Sequence, residues 1–77
     1  MIVKIYSTTN CPYCSMAKQF LKDNKIPFED INVGENRAAA VEMINKSGQM
    51  GVPVLDVDGT IIIGFNKEAI KNALKVW

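Results

Sequence analysis

The sequence predicts an α/β fold, a four-stranded mixed sheet with three helices in the order β-α-β-α-β-β-α. Short β-branched runs alternate with helix-like runs in the first part of the chain, which is typical of a βαβ unit with parallel strands. Asp58-Gly59 then separates two short apolar runs and indicates an antiparallel hairpin. The last stretch returns to helical spacing. We expect the 77 residues to form one domain, 1–77, with a modest core.

The first strand is predicted over residues 2–7, where β-branched and aromatic residues indicate a largely buried strand. A polar loop then leads to a helix predicted over residues 12–24. Pro12 suits the first turn of this helix, because its missing N–H loses no hydrogen bond there. Pro27 prevents the helix from continuing.

One face of this first helix is apolar and carries a cysteine. Cys14, Ala17 and Leu21 lie three and four residues apart, so they share one side of the helix. We therefore expect Cys14 to point toward the core. Cys11 precedes the helix and is expected at its exposed tip.

A second strand is predicted over residues 28–33, where Gly34 ends it, and an alanine-rich second helix over residues 35–46. Helical spacing alone has to decide which side of this second helix faces the sheet. The predicted inner stripe consists of Arg37, Ala40, Val41 and Ile44, with Arg37 at the rim.

The third and fourth strands are predicted over residues 52–57 and 60–63, joined by the hairpin turn. Asn66 is a plausible N-cap for the last helix, because its side-chain oxygen can accept from a free backbone N–H. The predicted apolar face of that helix consists of Ala69, Ile70, Ala73, Leu74 and Trp77, with Trp77 as a core residue.

The charge balance excludes several function classes. Nine basic and eight acidic residues give a net charge of +1, and the basic residues are scattered, so we expect no nucleic-acid or membrane partner. No apolar run approaches the ~18 residues of a membrane span, and the N-terminus lacks the pattern of a signal peptide. We therefore expect a cytoplasmic monomer, in a compartment where a cysteine pair is catalytic more often than structural.

The two cysteines of the chain, Cys11 and Cys14, are the candidate functional residues. Cys11 is predicted at a helix N-terminus, where unpaired N–H groups and the helix dipole favour an anion such as a thiolate. Cys14 lies one turn further in, near enough to attack a disulfide formed at Cys11. This arrangement predicts a reversible two-electron switch, and a Cys-x-x-Cys pair in a βαβ context favours a redox pair.

Three other interpretations of the cysteines remain open from their spacing alone. A zinc site needs four ligands, whereas this chain has no His and no third Cys, so a second subunit would have to complete it. A purely structural disulfide would close a very short loop, worth on the order of 2 kcal/mol. The third interpretation is two unrelated core cysteines.

With these features the chain resembles the glutaredoxins, within the thioredoxin-fold group, over nearly its whole length. The resemblance implies a thioredoxin-like (glutaredoxin) fold. It is carried by Tyr6, the motif Cys11-Pro12-Tyr13-Cys14, Gly51-Val52-Pro53, the Asp58-Gly59 hairpin and Gly64.

The resemblance also implies a mechanism. Cys11 would be the nucleophile and Cys14 the resolving thiol, and the Val52–Pro53 bond would be cis and face the cysteines. Tyr13 and the backbone of Val52 would form a rim that holds the substrate chain. The family reduces protein disulfides and glutathione mixed disulfides in electron transport and cell redox homeostasis. No bound cofactor or metal is expected, with glutathione as a possible co-substrate.

The candidate substrate or glutathione site also includes Thr8, Pro12, Gly64, Phe65 and Asn66, and here the chain departs from the family. Thr8 stands where glutathione-dependent members usually carry a lysine. The stretch Gly64-Phe65-Asn66-Lys67-Glu68 replaces their Gly-Gly-x-Asp-Asp. A Gly-Phe at this place is more similar to small redoxins that donate electrons to ribonucleotide reductase. Those redoxins are reduced by thioredoxin reductase, so either glutathione or a thioredoxin-type reductase is a candidate reductant.

An iron–sulfur carrier is a further alternative, since relatives with that role resemble this fold. In such a carrier Cys11 would ligate a cluster shared between two subunits. Cys14 and Pro12 argue against it, because a fast internal disulfide competes with ligation.

Overall fold

The computed structural model describes residues 2–75. The described chain contains four strands and three helices in the predicted order. They are β1 (Val3–Ser7), α1 (Pro12–Asp23), β2 (Glu29–Asn32), α2 (Arg37–Ser47), β3 (Val54–Val57), β4 (Thr60–Ile63) and α3 (Lys67–Leu74).

The strands form one mixed sheet in the spatial order β2-β1-β3-β4. β1 runs parallel to β2 and antiparallel to β3, and β3 and β4 form an antiparallel hairpin. The mixed four-stranded sheet predicted from the sequence is therefore confirmed. Because β1 is central and ends at Ser7, the loop that follows it leads directly into the cysteine motif.

Helices cover both faces of the sheet, each over its own apolar cluster. α1 and α3 pack on one face, and α2 packs on the other. The first cluster consists of Val3, Ile5, Ala17, Leu21, Leu55, Val57, Ile62, Ile70 and Leu74. The second is built from Tyr6, Met43 and Val54, with half-buried side chains around them.

Two element boundaries differ from the prediction for local reasons. β3 begins at Val54 and not at residue 52. Pro53 has no N–H to give to a strand ladder, and the pairing with β1 ends at the partners Tyr6 and Val54. α2 begins at Arg37, because the side chain of Asn36 accepts from the N–H of Ala39 at 3.0 Å and caps the helix.

The predicted inner stripe of α2 was wrong in part. Ala39 and Met43 are the buried residues of this helix, whereas Val41 is 52% exposed and Arg37 is exposed. Ala40 and Ile44, the other two residues of the predicted stripe, lie half-buried beside them. The run of three alanines fits more than one helical phase, so spacing alone did not fix the side that faces the sheet.

The hairpin and the last helix follow their sequence signals. Asp58 and Gly59 both have positive φ values, 49° and 93°, as the two-residue turn of a tight hairpin requires. Asn66 caps α3 by accepting from the N–H of Ala69 at 3.1 Å. The predicted position of Trp77 in the core lies outside the described residues.

Candidate active site

Cys11 is the N-cap of α1, as the sequence predicted. Its backbone is extended, with φ −117° and ψ 106°, and its carbonyl accepts from the N–H of Ser15 at 3.1 Å. Its sulfur accepts from the N–H of Cys14 at 3.2 Å. The sulfur therefore occupies the place of a capping oxygen, where the dipole of α1 favours negative charge. Cys11 is half-buried, whereas the sequence predicted it at an exposed tip.

Cys14 lies one turn further along α1 and is 1% exposed. Burial, followed by the hydrogen bond with Cys11, raises the pKa of the Cys14 thiol to about 11. The backbone of Thr8 and the charge of Lys18 act in the opposite direction. Both cysteines are free thiols, and Cys14 is protonated at neutral pH.

The segment before β3 closes the other side of the site. The Val52–Pro53 bond is cis, as predicted, and the carbonyl oxygen of Val52 lies 4.0 Å from the sulfur of Cys11. The N–H of Gly64 donates to the carbonyl of Pro53 at 2.8 Å, which links this segment to the turn before α3. Gly64 has φ 78°, a conformation that favours glycine.

Pro12 and Tyr13 are exposed at the start of α1, and Tyr13 is 63% exposed. Thr8 is half-buried and approaches Cys14 through its backbone. The structure thus brings the cysteines together with Thr8 and Val52 and leaves the aromatic ring of Tyr13 free to contact another molecule.

The residues at the start of α3 contact α1. The ring of Phe65 meets that of Phe20 edge to face, with centroids 6.2 Å apart. The ammonium of Lys67 lies 5.7 Å from the centroid of Phe20. The side-chain oxygen of Asn66 is engaged in capping α3. A shallow groove of about 280 Å³ lies between Phe65 and Lys67 on one side and Met16 and Phe20 of α1 on the other.

Sequence reasoning missed a polar chain that begins beside Cys14. The ammonium of Lys18 lies 2.8 Å from one oxygen of Asp30, and the hydroxyl of Ser7 donates to the other oxygen at 2.8 Å. Burial raises the pKa of Asp30, but these two partners outweigh it, so the pKa lies below its ordinary value. Lys18 stands four residues after Cys14, and this helical spacing could have placed Lys18 beside Cys14, although it could not have predicted the contact of Lys18 with Asp30.

A second polar network lies on the opposite face of the sheet. The hydroxyl of the fully buried Tyr6 donates to Glu42 at 2.5 Å and accepts from the ammonium of Lys46 at 3.0 Å. Lys46 also contacts Asp56 at 2.7 Å. This network joins α2 to β1 and β3 and lies away from the cysteines, so we assign it to the fold.

Residues 2–75 contain no group of three or more His, Cys, Asp or Glu side chains that could hold a metal ion. Within the same residues, no helix is both long and apolar enough to cross a bilayer.

The family profile described as Glutaredoxin matches residues 3–62. An uncharacterized glutaredoxin-like 8.6 kDa protein in the rubredoxin operon of Clostridium pasteurianum is 45% identical over 74 residues, 96% of this chain and 99% of the relative. Glutaredoxin 3 of Escherichia coli is 37% identical, covering 80% of this chain and 75% of that protein. The glutaredoxin-like protein NrdH of Lactococcus lactis is 34% identical, covering 83% and 88%. The chain belongs to the glutaredoxin family.

Solved structures agree with this assignment. A glutaredoxin from Archaeoglobus fulgidus superposes with a TM-score of 0.88 at 27% identity, covering 95% of this chain and 85% of that one. The NrdH-redoxin of Escherichia coli, described as having a thioredoxin-like activity profile, superposes with a TM-score of 0.83 at 26% identity, covering 94% and 93%.

Proposed function

We propose that the chain is a thiol–disulfide oxidoreductase in which Cys11 is the nucleophile and Cys14 the resolving thiol. The observation that carries this proposal is the position of the Cys11 sulfur, which caps α1 and accepts the N–H of Cys14 at 3.2 Å. A helix N-terminus stabilises a thiolate, and the thiolate is the attacking form of cysteine. Buried Cys14 lies directly behind it.

The reaction has two exchange steps. The Cys11 thiolate attacks one sulfur of a substrate disulfide and forms a mixed disulfide, while the other substrate sulfur leaves as a thiolate. Cys14 then loses its proton to solvent and attacks the sulfur of Cys11. The Cys11–Cys14 disulfide forms, the second substrate thiolate leaves, and two electrons have passed to the substrate.

The substrates of this proposal are disulfide-containing proteins or glutathione mixed disulfides. The backbone of Val52 beside Cys11 supports it, because an extended substrate segment can pair with such a backbone as an added strand. Exposed Tyr13 provides an apolar surface at the same rim. We place the protein in the cytoplasm as a monomer, the setting expected from the sequence.

The order of attack can be tested by trapping. Cys14→Ser should accumulate a stable mixed disulfide at Cys11 after exposure to a disulfide substrate, because the resolving thiol is gone. Cys11→Ser should form no adduct at a comparable rate, since its remaining thiol is buried. Mass spectrometry of both variants locates the adduct. A wild-type adduct on Cys14, with Cys11 free, would reverse the two roles.

The reductant is a separate part of the proposal: we propose that the chain uses glutathione poorly and that a flavoprotein reductase of the thioredoxin type serves it. Thr8 removes a cation near Cys11, Phe65 replaces a glycine, and Lys67 brings a positive charge where the family has an acid. The side-chain oxygen of Asn66 is already engaged in its cap. A lost charge-assisted hydrogen bond costs roughly 1.5–3 kcal/mol, or about tenfold in affinity or more.

Following NADPH oxidation with a disulfide substrate tests this part. The wild type should turn over faster with thioredoxin reductase than with glutathione plus glutathione reductase. Thr8→Lys should raise only the glutathione-dependent rate, and Thr8→Ser is the matched control. Robust turnover with glutathione, together with none from thioredoxin reductase, would refute the proposed reductant while leaving the cysteine chemistry intact.

A further inference from the structure

Resolution of the mixed disulfide requires a buried thiolate. Cys14 is 1% exposed and must lose its proton before it attacks Cys11. Removing an ion from water is costly unless a neighbouring charge or hydrogen bond compensates. The helix N-terminus is already occupied by the sulfur of Cys11, so Cys14 needs another source of stabilisation.

Lys18 has the geometry to supply it. It follows Cys14 by four residues on α1, and side chains at this spacing are neighbours on one helix face, with Cβ atoms about 5–6 Å apart. The Lys18 side chain is 24% exposed, so solvent screens its charge less than that of a fully exposed lysine.

Asp30 and Ser7 hold Lys18 in this position. Asp30 lies on β2 and contacts the Lys18 ammonium at 2.8 Å, while its second oxygen accepts from the hydroxyl of Ser7 at 2.8 Å. Ser7 is 1% exposed at the end of the central strand β1, so its position is fixed by the sheet. Contacts with the sheet therefore fix the position of the Lys18 ammonium, which its flexible side chain alone would not do.

The other groups acting on Cys14 do not replace Lys18. Cys11 raises the pKa of Cys14, whereas the backbone of Thr8 lowers it without a formal charge. The facing segment before β3 contributes the backbone of Val52 and no cation. Lys22, one turn beyond Lys18, acts on Asp30.

We propose that Lys18, positioned by Asp30 and Ser7, stabilises the Cys14 thiolate during its attack on the mixed disulfide at Cys11. This inference rests on the proposed function. The proton of Cys14 passes to water, the Cys11–Cys14 bond forms, and the bond from Cys11 to the substrate sulfur breaks. Lys18 stays protonated throughout, and Asp30 and Ser7 act only by holding it.

The two steps can be separated with dithiobis(nitrobenzoate), an aromatic disulfide whose thiolate product is coloured. One equivalent of coloured thiolate reports the attack by Cys11, and a second reports resolution by Cys14. Stopped-flow traces of the reduced protein over a range of pH give both rates. Lys18→Met is the test variant, Lys18→Arg keeps the charge, and Lys22→Met is the matched control.

Lys18→Met should lower the rate of the second release of coloured thiolate at neutral pH. The rate of the first release should stay within the wild-type range. For each unit by which the pKa of Cys14 rises, the thiolate fraction falls about tenfold and the greater basicity of the thiolate recovers about threefold, so the second release slows about threefold per unit. The pH profile of the second release should move to higher pH. Lys18→Arg and Lys22→Met should both match the wild type.

Each outcome separates this inference from the proposed function. A wild type that releases no coloured thiolate would overturn the proposed function itself. Two releases in the wild type, with the second unchanged in Lys18→Met, would overturn only the role of Lys18. A Lys18→Met protein that slows both releases equally, without a shift in the pH profile, would show a structural role and also overturn it.

Discussion

Cys11 and Cys14 belong to the same helix, yet their surroundings divide them into two different thiols. Cys11 caps α1 and is half-buried, whereas Cys14 is 1% exposed and packs behind it. The N–H of Cys14 also donates to the sulfur of Cys11 at 3.2 Å, so the backbone of Cys14 helps to hold the Cys11 sulfur in place. Position within one helical turn therefore assigns the two thiols their separate roles in the proposed exchange.

Replacing Cys14 with alanine should change how the free energy of unfolding of the reduced protein depends on pH in the alkaline range. The pKa of Cys14 is raised to about 11 in the folded state, above the value of about 8.5 of an unfolded thiol. The protonated thiol thus favours the folded state, and its contribution is full below the unfolded pKa and is lost as pH rises through the folded pKa. Urea unfolding midpoints of the wild type should fall more steeply than those of Cys14→Ala between about pH 8.5 and 11.

The pKa values of Tyr6 and Lys46 are also raised, but both residues are present in both proteins, so their titration does not account for a difference between the two slopes. Parallel slopes for the wild type and Cys14→Ala would contradict the high pKa of Cys14.

At the residue scale, the sequence was informative wherever a local rule determined the position. Pro12 in the first helical turn and Cys14 on the apolar face both follow from helix geometry. The ion pair of Lys18 with Asp30 depends on how α1 lies over β2. No spacing of residues along the sequence predicts this contact. The same limit applies to Lys46, which meets Asp56 only after α2 and β3 pack together.

At the scale of elements, capping side chains set where the helices begin. Asn36 and Asn66 each accept from the backbone N–H three residues later, at 3.0 and 3.1 Å. The cap of α3 was predicted from the sequence because Asn66 follows a clear turn at Gly64. The start of α2 was placed two residues early, and its buried side was misassigned, because alanines satisfy more than one helical phase.

Asn66→Ala should lower the free energy of unfolding by about 1 kcal/mol, the usual cost of losing an N-cap. The N–H of Ala69 would lose its partner at the first turn of α3. Urea unfolding monitored by circular dichroism measures the loss. Asn66→Asp is the control, because a carboxylate also accepts from the same N–H and suits a helix N-terminus. An Asn66→Ala protein as stable as Asn66→Asp would show that the cap contributes nothing.

At the scale of the whole molecule, the two faces of the sheet differ in the contacts that hold their helices in place. The face under α1 and α3 holds the larger apolar cluster, and the cysteine motif begins at its edge. The face under α2 combines a smaller cluster with the network in which Lys46 contacts Tyr6, Glu42 and Asp56. Lys46 thus links α2 to the two central strands, so we expect its removal to weaken the docking of α2.

Lys46→Met should destabilise the protein by about 1–2 kcal/mol at neutral pH, because Asp56 would keep its charge in a largely buried place without its partner. The side chain of Asp56 is only 13% exposed. Burial raises the pKa of Asp56, but the hydrogen bonds from Lys46 and from the backbone N–H of Gly59, together with the charge of Lys46, outweigh burial, so the pKa lies below its ordinary value. The pKa of Glu42 is lowered by Tyr6 and Lys46.

The lowered pKa values fix the sign of the pH dependence. Carboxylates of this kind stabilise the fold above their unfolded pKa, and the contribution is lost as pH falls through the folded pKa. The difference in stability between the wild type and Lys46→Met should therefore be widest near neutral pH and should close as the pH falls through the folded-state pKa values of Asp56 and Glu42. Urea midpoints measured across this range, with exposed Lys25→Met as the control, provide the test. A gap that stays constant down to the acid end would mean that Lys46 stabilises α2 through the packing of its stem and not through its charge.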